Sequence, residues 1–174
     1  MLTLHRVWMV VAACLLACGT AAQAETKVTV SGVHLCCGGC IVGVNDAVSD
    51  IEGAKVVPSQ KDKTISITAK DDATAQKVIN AIADAGYHGK LDNTAVKFPA
   101  TEVPSGNVKK IELTTHNCCG SCNKQIEAAI KTVDGVTSDS ATAKSDDFTV
   151  EGDFSATKLV EALATAGFHV QVKK

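Results

Sequence analysis

Residues 34–40 read HLCCGGC, and the same pattern returns 82 positions later as HNCCGSC at residues 116–122. A second pair of segments recurs at nearly the same offset: residues 81–88 read AIADAGYH and residues 162–169 read ALATAGFH. Similarity within a chain at a fixed spacing is the signature of a duplicated structural unit. The sequence therefore predicts two copies of one small domain, each with a cysteine loop near its start.

The two copies are separated by a segment of different composition. Residues 92–107 contain Pro99, Pro104 and a Ser-Gly pair, and they show little apolar periodicity. Such a composition is typical of a linker of moderate stiffness. We therefore expect a first domain at residues 25–91, a linker at 92–107 and a second domain at 108–174.

Each copy has the same order of secondary-structure patterns. An alternating segment, with Val28 and Val30 on one face, precedes the cysteine loop, and Val44, Val48 and Ile51 follow it at helical spacing. Two strand candidates, a second amphipathic stretch that stops at a glycine, and a short last strand complete the unit. The order β-α-β-β-α-β is that of a ferredoxin-like split unit. The predicted fold class is α+β, with two tandem ferredoxin-like βαββαβ domains.

The first 24 residues have the features of an export signal. Residues 1–24 hold one arginine, then an apolar run too short to span a membrane, then Ala-Gln-Ala, which matches a signal-peptidase site. Residues 15–18, LLAC, resemble a bacterial lipobox, in which Cys18 would be acylated and anchor the protein. The second leucine is unusual at its position, so we favour simple cleavage before Glu25. Both interpretations place the protein outside the cytoplasm, in the periplasm or secreted.

The charge of the chain excludes some classes of partner. The chain has 17 basic and 19 acidic residues, for a net charge of −2, and neither repeat holds a basic cluster. Nucleic-acid-binding proteins carry a basic face, and peripheral membrane proteins often carry a polybasic patch. We therefore expect no nucleic-acid partner, and no membrane contact unless Cys18 is lipidated.

The cysteine loop has the spacing of a metal site. The chain has eight cysteines, of which two lie in the expected signal peptide and three in each copy. Cys37 falls at the end of the loop and Cys40 about one turn into the helix, so both sulfurs can converge at the helix N-terminus. Free backbone N–H groups and the positive end of the helix dipole stabilise thiolates there. Cu(I) and Hg(II) accept two-coordinate sulfur, whereas Zn(II) prefers four ligands.

Further ligands are available in the same segment. Cys36 lies next to the pair and is a candidate third sulfur, and His34 is a candidate nitrogen ligand. In the second copy Cys119 and Cys122 form the pair, while Cys118 and His116 are the auxiliary candidates. Cu(I) is the expected ion, with Hg(II) or Zn(II) as alternatives.

The pattern resembles a known family. A Cys-x-x-Cys before the first helix and an aromatic residue after the second, in a βαββαβ order, are similar to the heavy-metal-associated domain. That family includes copper chaperones, modules of copper-transporting ATPases and the periplasmic mercury-binding protein. The resemblance implies metal ligands at Cys37, Cys40, Cys119 and Cys122. It also implies a non-enzymatic metallochaperone or scavenger that exchanges metal with a donor or acceptor protein.

The resemblance also implies neighbours of the metal and exposes two departures. Tyr87 and Phe168 would lie near the metal and would bring His88 and His169 close to it. Where the family usually has Met to anchor the loop, this chain has Leu35 in one copy and, in the other, an asparagine that needs a polar partner. A third cysteine in both loops favours three-coordinate or clustered metal over linear two-sulfur binding.

Two other uses of the cysteines remain open at this stage. A Cys-Gly-Gly-Cys at a helix start suits a thiol–disulfide oxidoreductase with Cys37 as the attacking thiol, although the chain lacks the motif of a thioredoxin-like fold. A disulfide within one loop would close a very short ring and would therefore stabilise the fold little.

Overall fold

The computed structural model describes residues 24–173. The expected signal peptide at 1–24, with Cys18, therefore lies almost entirely outside the described residues. Between residues 24 and 173, no helix is both long and apolar enough to cross a membrane.

The chain forms two units with the same order of elements. In the first unit they are β1 (Thr26–Ser31), α1 (Gly38–Val48), β2 (Ala54–Ser59), β3 (Thr64–Ala69), α2 (Asp72–Asp84) and β4 (Lys90–Leu91). In the second they are β5 (Asn107–Thr114), α3 (Gly120–Ile130), β6 (Val136–Asp139), β7 (Asp147–Ser155), α4 (Ala156–Thr165) and β8 (Gln171–Val172). The two four-stranded sheets run in the orders β2-β3-β1-β4 and β6-β7-β5-β8, with antiparallel neighbours throughout. The prediction of two tandem ferredoxin-like βαββαβ domains is confirmed.

Each sheet presents alternate side chains to its two helices. In β3, Ile65 and Ile67 are buried while Ser66 between them is exposed, as the two-residue period of a strand requires. Opposite them, α2 buries Val78 and Ile82, which lie one turn apart on its apolar face. The helices therefore cover one face of the sheet, and the cysteine loop is held between β1 and α1.

The boundaries differ from the sequence prediction in small ways. Helix α1 ends at Val48, so Ile51, expected to continue its apolar stripe, lies in the turn that follows and packs on the core from there. The expected linker at 92–107 is one residue too long, because Asn107 already pairs with Ser155 in the second sheet. The turn after Val48 and the pairing of Asn107 with Ser155 set these boundaries, and apolar spacing encodes neither of them.

The two units meet through the turns that follow α2 and α4. The backbone N–H of His88 donates to the carbonyl of Gly167, and that of His169 donates to the carbonyl of Gly86, both at 3.0 Å. Tyr87 and Phe168 lie between these bonds as an antiparallel bridge. This short backbone pairing relates the two repeats by approximate two-fold symmetry.

Glycine is required in both turns for two reasons. Gly86 and Gly167 follow the helix ends with φ of +86° and +94°, a conformation that residues with a side chain rarely adopt. A Cβ on Gly86 would also lie 2.2 Å from the backbone nitrogen of His116, and one on Gly167 would lie 2.4 Å from that of His34. The glycines thus permit each turn to touch the cysteine loop of the other repeat.

A buried hydroxyl reinforces this contact. Thr115, 4% exposed, donates from Oγ1 towards the carbonyls of Gly86 at 3.1 Å and His169 at 2.6 Å. The matching position in the first repeat is the apolar Val33, which is also buried. The second repeat therefore contributes a buried side-chain hydrogen bond at this interface, and the first repeat has an apolar residue at the matching position.

Replacing this hydroxyl should weaken the fold without disturbing its shape. For Thr115→Val we expect a loss of about 1 kcal/mol in the free energy of unfolding, because the Val side chain cannot donate to the buried carbonyls. Urea unfolding of residues 25–174 would measure it, with Thr149→Val on β7 as the control. Equal losses for the two variants would contradict a specific role for Thr115.

Candidate metal centre

Both Cys-x-x-Cys pairs lie at helix N-termini, as predicted. Cys37 and Cys119 are the N-cap residues of α1 and α3, and both have extended backbone conformations. Cys40 and Cys122 lie in the first helical turns and are fully buried. Each pair therefore presents one outer and one inner sulfur, 3.9 Å apart between Cys37 and Cys40 and 3.8 Å apart in the second pair.

The two cysteine loops face each other, which brings all six thiols of the described residues into one cluster. The shortest sulfur–sulfur distances join the repeats: 3.4 Å between Cys36 and Cys119, 3.5 Å between Cys36 and Cys122, and 3.6 Å between Cys37 and Cys118. All six cysteines are free thiols. This contact between the loops could not be predicted from the sequence, because no local pattern reports which surfaces of two repeats pack together.

The two loop histidines lie within the cluster. A ring nitrogen of His116 lies within 4.8 Å of the sulfurs of Cys40, Cys118 and Cys122, and one of His34 is equally close to those of Cys36 and Cys122. Nε2 of His34 is buried and has no hydrogen-bond partner. Burial lowers the pKa of His34, which favours the neutral ring that can ligate a metal. Both auxiliary candidates are therefore in reach of sulfur ligands from both repeats.

The aromatic residues after α2 and α4 each pack their ring on the loop histidine of the other repeat. Tyr87 donates from its hydroxyl to the carbonyl of Cys40 at 3.1 Å, and its ring lies 4.5 Å from that of His116. Phe168 stacks on His34 with the ring centres 4.7 Å apart. Tyr87 therefore contacts the cysteine loop of its own repeat directly, and each aromatic residue holds a histidine of the other repeat.

His88 and His169, which the resemblance implies lie close to the metal, pack in another direction. Their rings stack on each other at 5.9 Å, and both lie against Phe98 of the connecting segment. Neither belongs to the groups of close ligand atoms found in residues 24–173. Side chains alternate in direction along this short bridge, so the histidine after each aromatic residue points away from the cysteines.

The two loops are anchored differently. Leu35 is fully buried in the apolar core, as expected for a substitute of methionine. Asn117 is also fully buried, and its side-chain amide donates to Asn123 Oδ1 at 3.1 Å and to the carbonyl of Thr142 at 3.0 Å. The polar partners that Asn117 requires are therefore present, although its own oxygen has none.

Crowding divides the thiols into those that ionise easily and those that do not. The neighbouring Cys122 thiol lowers the pKa of Cys40, and the Cys40 sulfur in turn raises the pKa of Cys122. The backbone N–H of Cys122 lowers the pKa of Cys119 to about 6, as expected at a helix N-terminus. Burial raises the pKa values of Cys36 and Cys118.

The sulfur spacing fits a metal ion with more than two ligands. With metal–sulfur bonds of about 2.3 Å, two opposed thiolates lie about 4.6 Å apart, whereas neighbours in a trigonal or tetrahedral site lie about 3.8–4.0 Å apart. The contacts between Cys40, Cys118 and Cys122 include distances of 3.8 and 3.7 Å. The arrangement therefore suits three- or four-coordinate soft metal better than linear binding.

The thiols should differ in reactivity with pH. In the reduced, metal-free protein we expect alkylation of Cys119 to reach half its maximal rate near pH 6, because its thiolate persists to lower pH than an ordinary one. Cys36, with a pKa raised to about 12, should stay unreactive at neutral pH. Peptide mass spectrometry after brief iodoacetamide pulses measures both, and urea-unfolded protein is the control in which the cysteines should react alike. Uniform rates in the folded protein would contradict the assigned environments.

Comparison with known proteins finds one matching family model and several similar solved structures. The model of the heavy-metal-associated domain matches residues 118–169, and no curated protein gives a significant match. Similar solved structures include the N-terminal domain of PacS from Synechocystis PCC6803, 29% identical, covering 38% of this chain and 100% of that one with a TM-score of 0.36. Oxidized MerP from Ralstonia metallidurans CH34 is 34% identical and covers 40% of this chain and 100% of its own, with a TM-score of 0.35. From the metal loop to the turn after α4, the second repeat is thus similar in sequence to the heavy-metal-associated domain family.

Proposed function

We propose that this protein is an exported, non-enzymatic metallochaperone or scavenger that binds Cu(I) through its CCGxC loops. The observation that carries the proposal is the cluster of six free thiols, with pairs at two helix N-termini. Thiolates are the ligands that soft ions prefer, and helix N-termini stabilise the ionised form that binds metal.

The donor set narrows the choice of ion. The groups of close ligand atoms between residues 24 and 173 consist of cysteine and histidine and include no carboxylate. Magnesium and calcium require oxygen ligands, so this centre does not suit them. Cu(I) is the ion proposed first, because three-coordinate sulfur suits it, with Hg(II) and Zn(II) as alternatives.

The position of the cysteines supports exchange with another protein. The outer sulfurs of Cys37 and Cys119 are partly exposed, whereas the inner sulfurs of Cys40 and Cys122 are buried. An incoming thiol can therefore approach the outer ligands while the inner ones retain the metal. We propose a donor or acceptor protein that presents its own thiols as the partner in this exchange.

Copper titration tests the proposal directly. Reduced protein of residues 25–174 should bind Cu(I) tightly in anaerobic competition with a chelator, and Cys37→Ser/Cys119→Ser should weaken binding at least about tenfold, because each loop loses its outer ligand. Ser121→Ala, an exposed change in the same loop, is the control. A dithiol acceptor should withdraw the metal faster than it leaves unaided.

Two results would contradict the proposal. Weak Cu(I) binding that the double substitution does not change would contradict the proposed metal-binding function. Reduction of insulin by the wild-type protein, lost in Cys37→Ser, would instead favour the oxidoreductase alternative.

Export has a separate test. If residues 1–24 are a cleaved signal, the intact mass of protein recovered from the periplasm or medium should begin at Glu25. A mass that begins at an acylated Cys18 would establish the lipoprotein alternative, and uncleaved protein retained in the cytoplasm would contradict export.

A further inference from the structure

We infer that each metal site is completed by the other repeat: Cys118 joins Cys37 and Cys40, and Cys36 joins Cys119 and Cys122. The third cysteine of each loop then acts as a ligand across the interface. This inference rests on the proposed metal-binding function and assigns a role to the two cysteines that distinguish this chain from the simple Cys-x-x-Cys pattern.

The sulfur contacts carry this assignment. Cys118 lies 3.6 Å from Cys37 and 3.8 Å from Cys40, so it closes a triangle with the pair of the first repeat. Cys36 lies 3.4 Å from Cys119 and 3.5 Å from Cys122 and closes the equivalent triangle. Together with the contacts within each pair, every edge of both triangles measures 3.4–3.9 Å. Three thiolates around one metal ion have edges of about 4.0 Å, so small movements would form either site.

Contacts within one loop are less complete. Cys36 lies 3.7 Å from Cys40 of its own pair, and Cys118 lies 3.7 Å from Cys122. Each therefore contacts the inner sulfur of its own repeat and both sulfurs of the other. A thiolate can bridge two metal ions, so these two residues also link the two triangles into one six-sulfur centre.

The interface holds the triangles in place without help from the sulfurs. The backbone pairing of the two final turns fixes the spacing between the loops. The imidazoles of His34 and His116 flank the cluster, and the aromatic rings of Phe168 and Tyr87 hold them from across the interface. The ligand geometry is therefore built by the pairing of the repeats and does not need metal to draw them together.

A reciprocal set of variants in residues 25–174 separates ligation across the interface from ligation within a loop. The double variant Cys119→Ser/Cys122→Ser keeps only the Cys-x-x-Cys pair of the first repeat. In that background we expect Cys118→Ser to lower Cu(I) affinity at least about tenfold, whereas Cys36→Ser should change it little. Loss of a group that only supports a ligand already costs about 10–100-fold in metal affinity, so loss of a ligand should cost at least as much. X-ray absorption should show three sulfurs per copper falling to two in the Cys118 variant alone.

The mirror experiment starts from Cys37→Ser/Cys40→Ser. There the dependence should reverse, with Cys36→Ser weakening the remaining site and Cys118→Ser leaving it nearly unchanged. Because both backgrounds use the same two test substitutions, each variant is the matched control for the other. Circular dichroism of every variant verifies that the fold is retained.

A variant that keeps every sulfur tests the role of the interface. Gly167→Ala places a Cβ against the backbone of His34 and should part the loops, lowering the sulfur count per copper from three to two. Gly106→Ala is the control, because Gly106 also has a positive φ, +79°, but has open space around it.

The outcomes are distinguishable. If each pair depends on the third cysteine of its own loop, or on neither, the inference is overturned while the metal-binding proposal stands. If the Cu(I) affinity of the Cys119→Ser/Cys122→Ser background, which keeps Cys118, falls when the protein is diluted, Cys118 is supplied by a second molecule and the sharing within one chain is overturned. If the unsubstituted protein binds no Cu(I), the proposed function itself fails.

Discussion

The backbone pairing of two glycine turns brings the two cysteine loops of this protein together. Two reciprocal backbone hydrogen bonds fix the register of the second repeat against the first: they join His88 to Gly167 and His169 to Gly86. A shift of this pairing by one residue would reverse which side chains face the cysteines. The cluster of thiols is therefore a property of the paired repeats, although each loop is encoded locally within its own repeat.

Bringing six thiols together has an electrostatic cost. Neighbouring thiolates repel each other and burial disfavours charge, and burial accordingly raises the pKa values of Cys36 and Cys118. A bound cation removes this repulsion, and its binding must then release protons. Close packing makes the thiols hard to ionise when no metal is bound. It therefore favours a cation whose binding displaces the protons of several thiols together.

The sequence could predict each repeat but not their arrangement. Apolar periodicity and the recurrence of residues 34–40 at 116–122 were enough for the fold and for the Cys-x-x-Cys pairs at helix N-termini, because those signals are local. Cys36 was assigned by adjacency to the pair beside it, whereas its shortest sulfur contact is with Cys119, 83 residues away. The partner of Asn117, the carbonyl of Thr142, is likewise brought close only by the fold. Gly86 and Gly167 are recognisable in the sequence as the ends of α2 and α4. No feature of the sequence indicates that they contact the cysteine loop of the other repeat.

The two loops are equivalent in spacing but not in how they are held. In the first, Leu35 fills the core and the Tyr87 hydroxyl ties down the carbonyl of Cys40. In the second, Phe168 has no hydroxyl to offer, and the polar amide of Asn117 anchors the loop to Thr142 instead. The first loop is also held by Lys63 and Gln60, which donate to the carbonyls of Leu35 and Cys36. In the second loop, the carboxylate of Asp146 accepts from the backbone N–H of Asn117. The groups that hold a ligand set in place contribute to its affinity for metal. The two proposed sites each consist of three cysteines, but they are held by different groups, so they offer the same ion different surroundings.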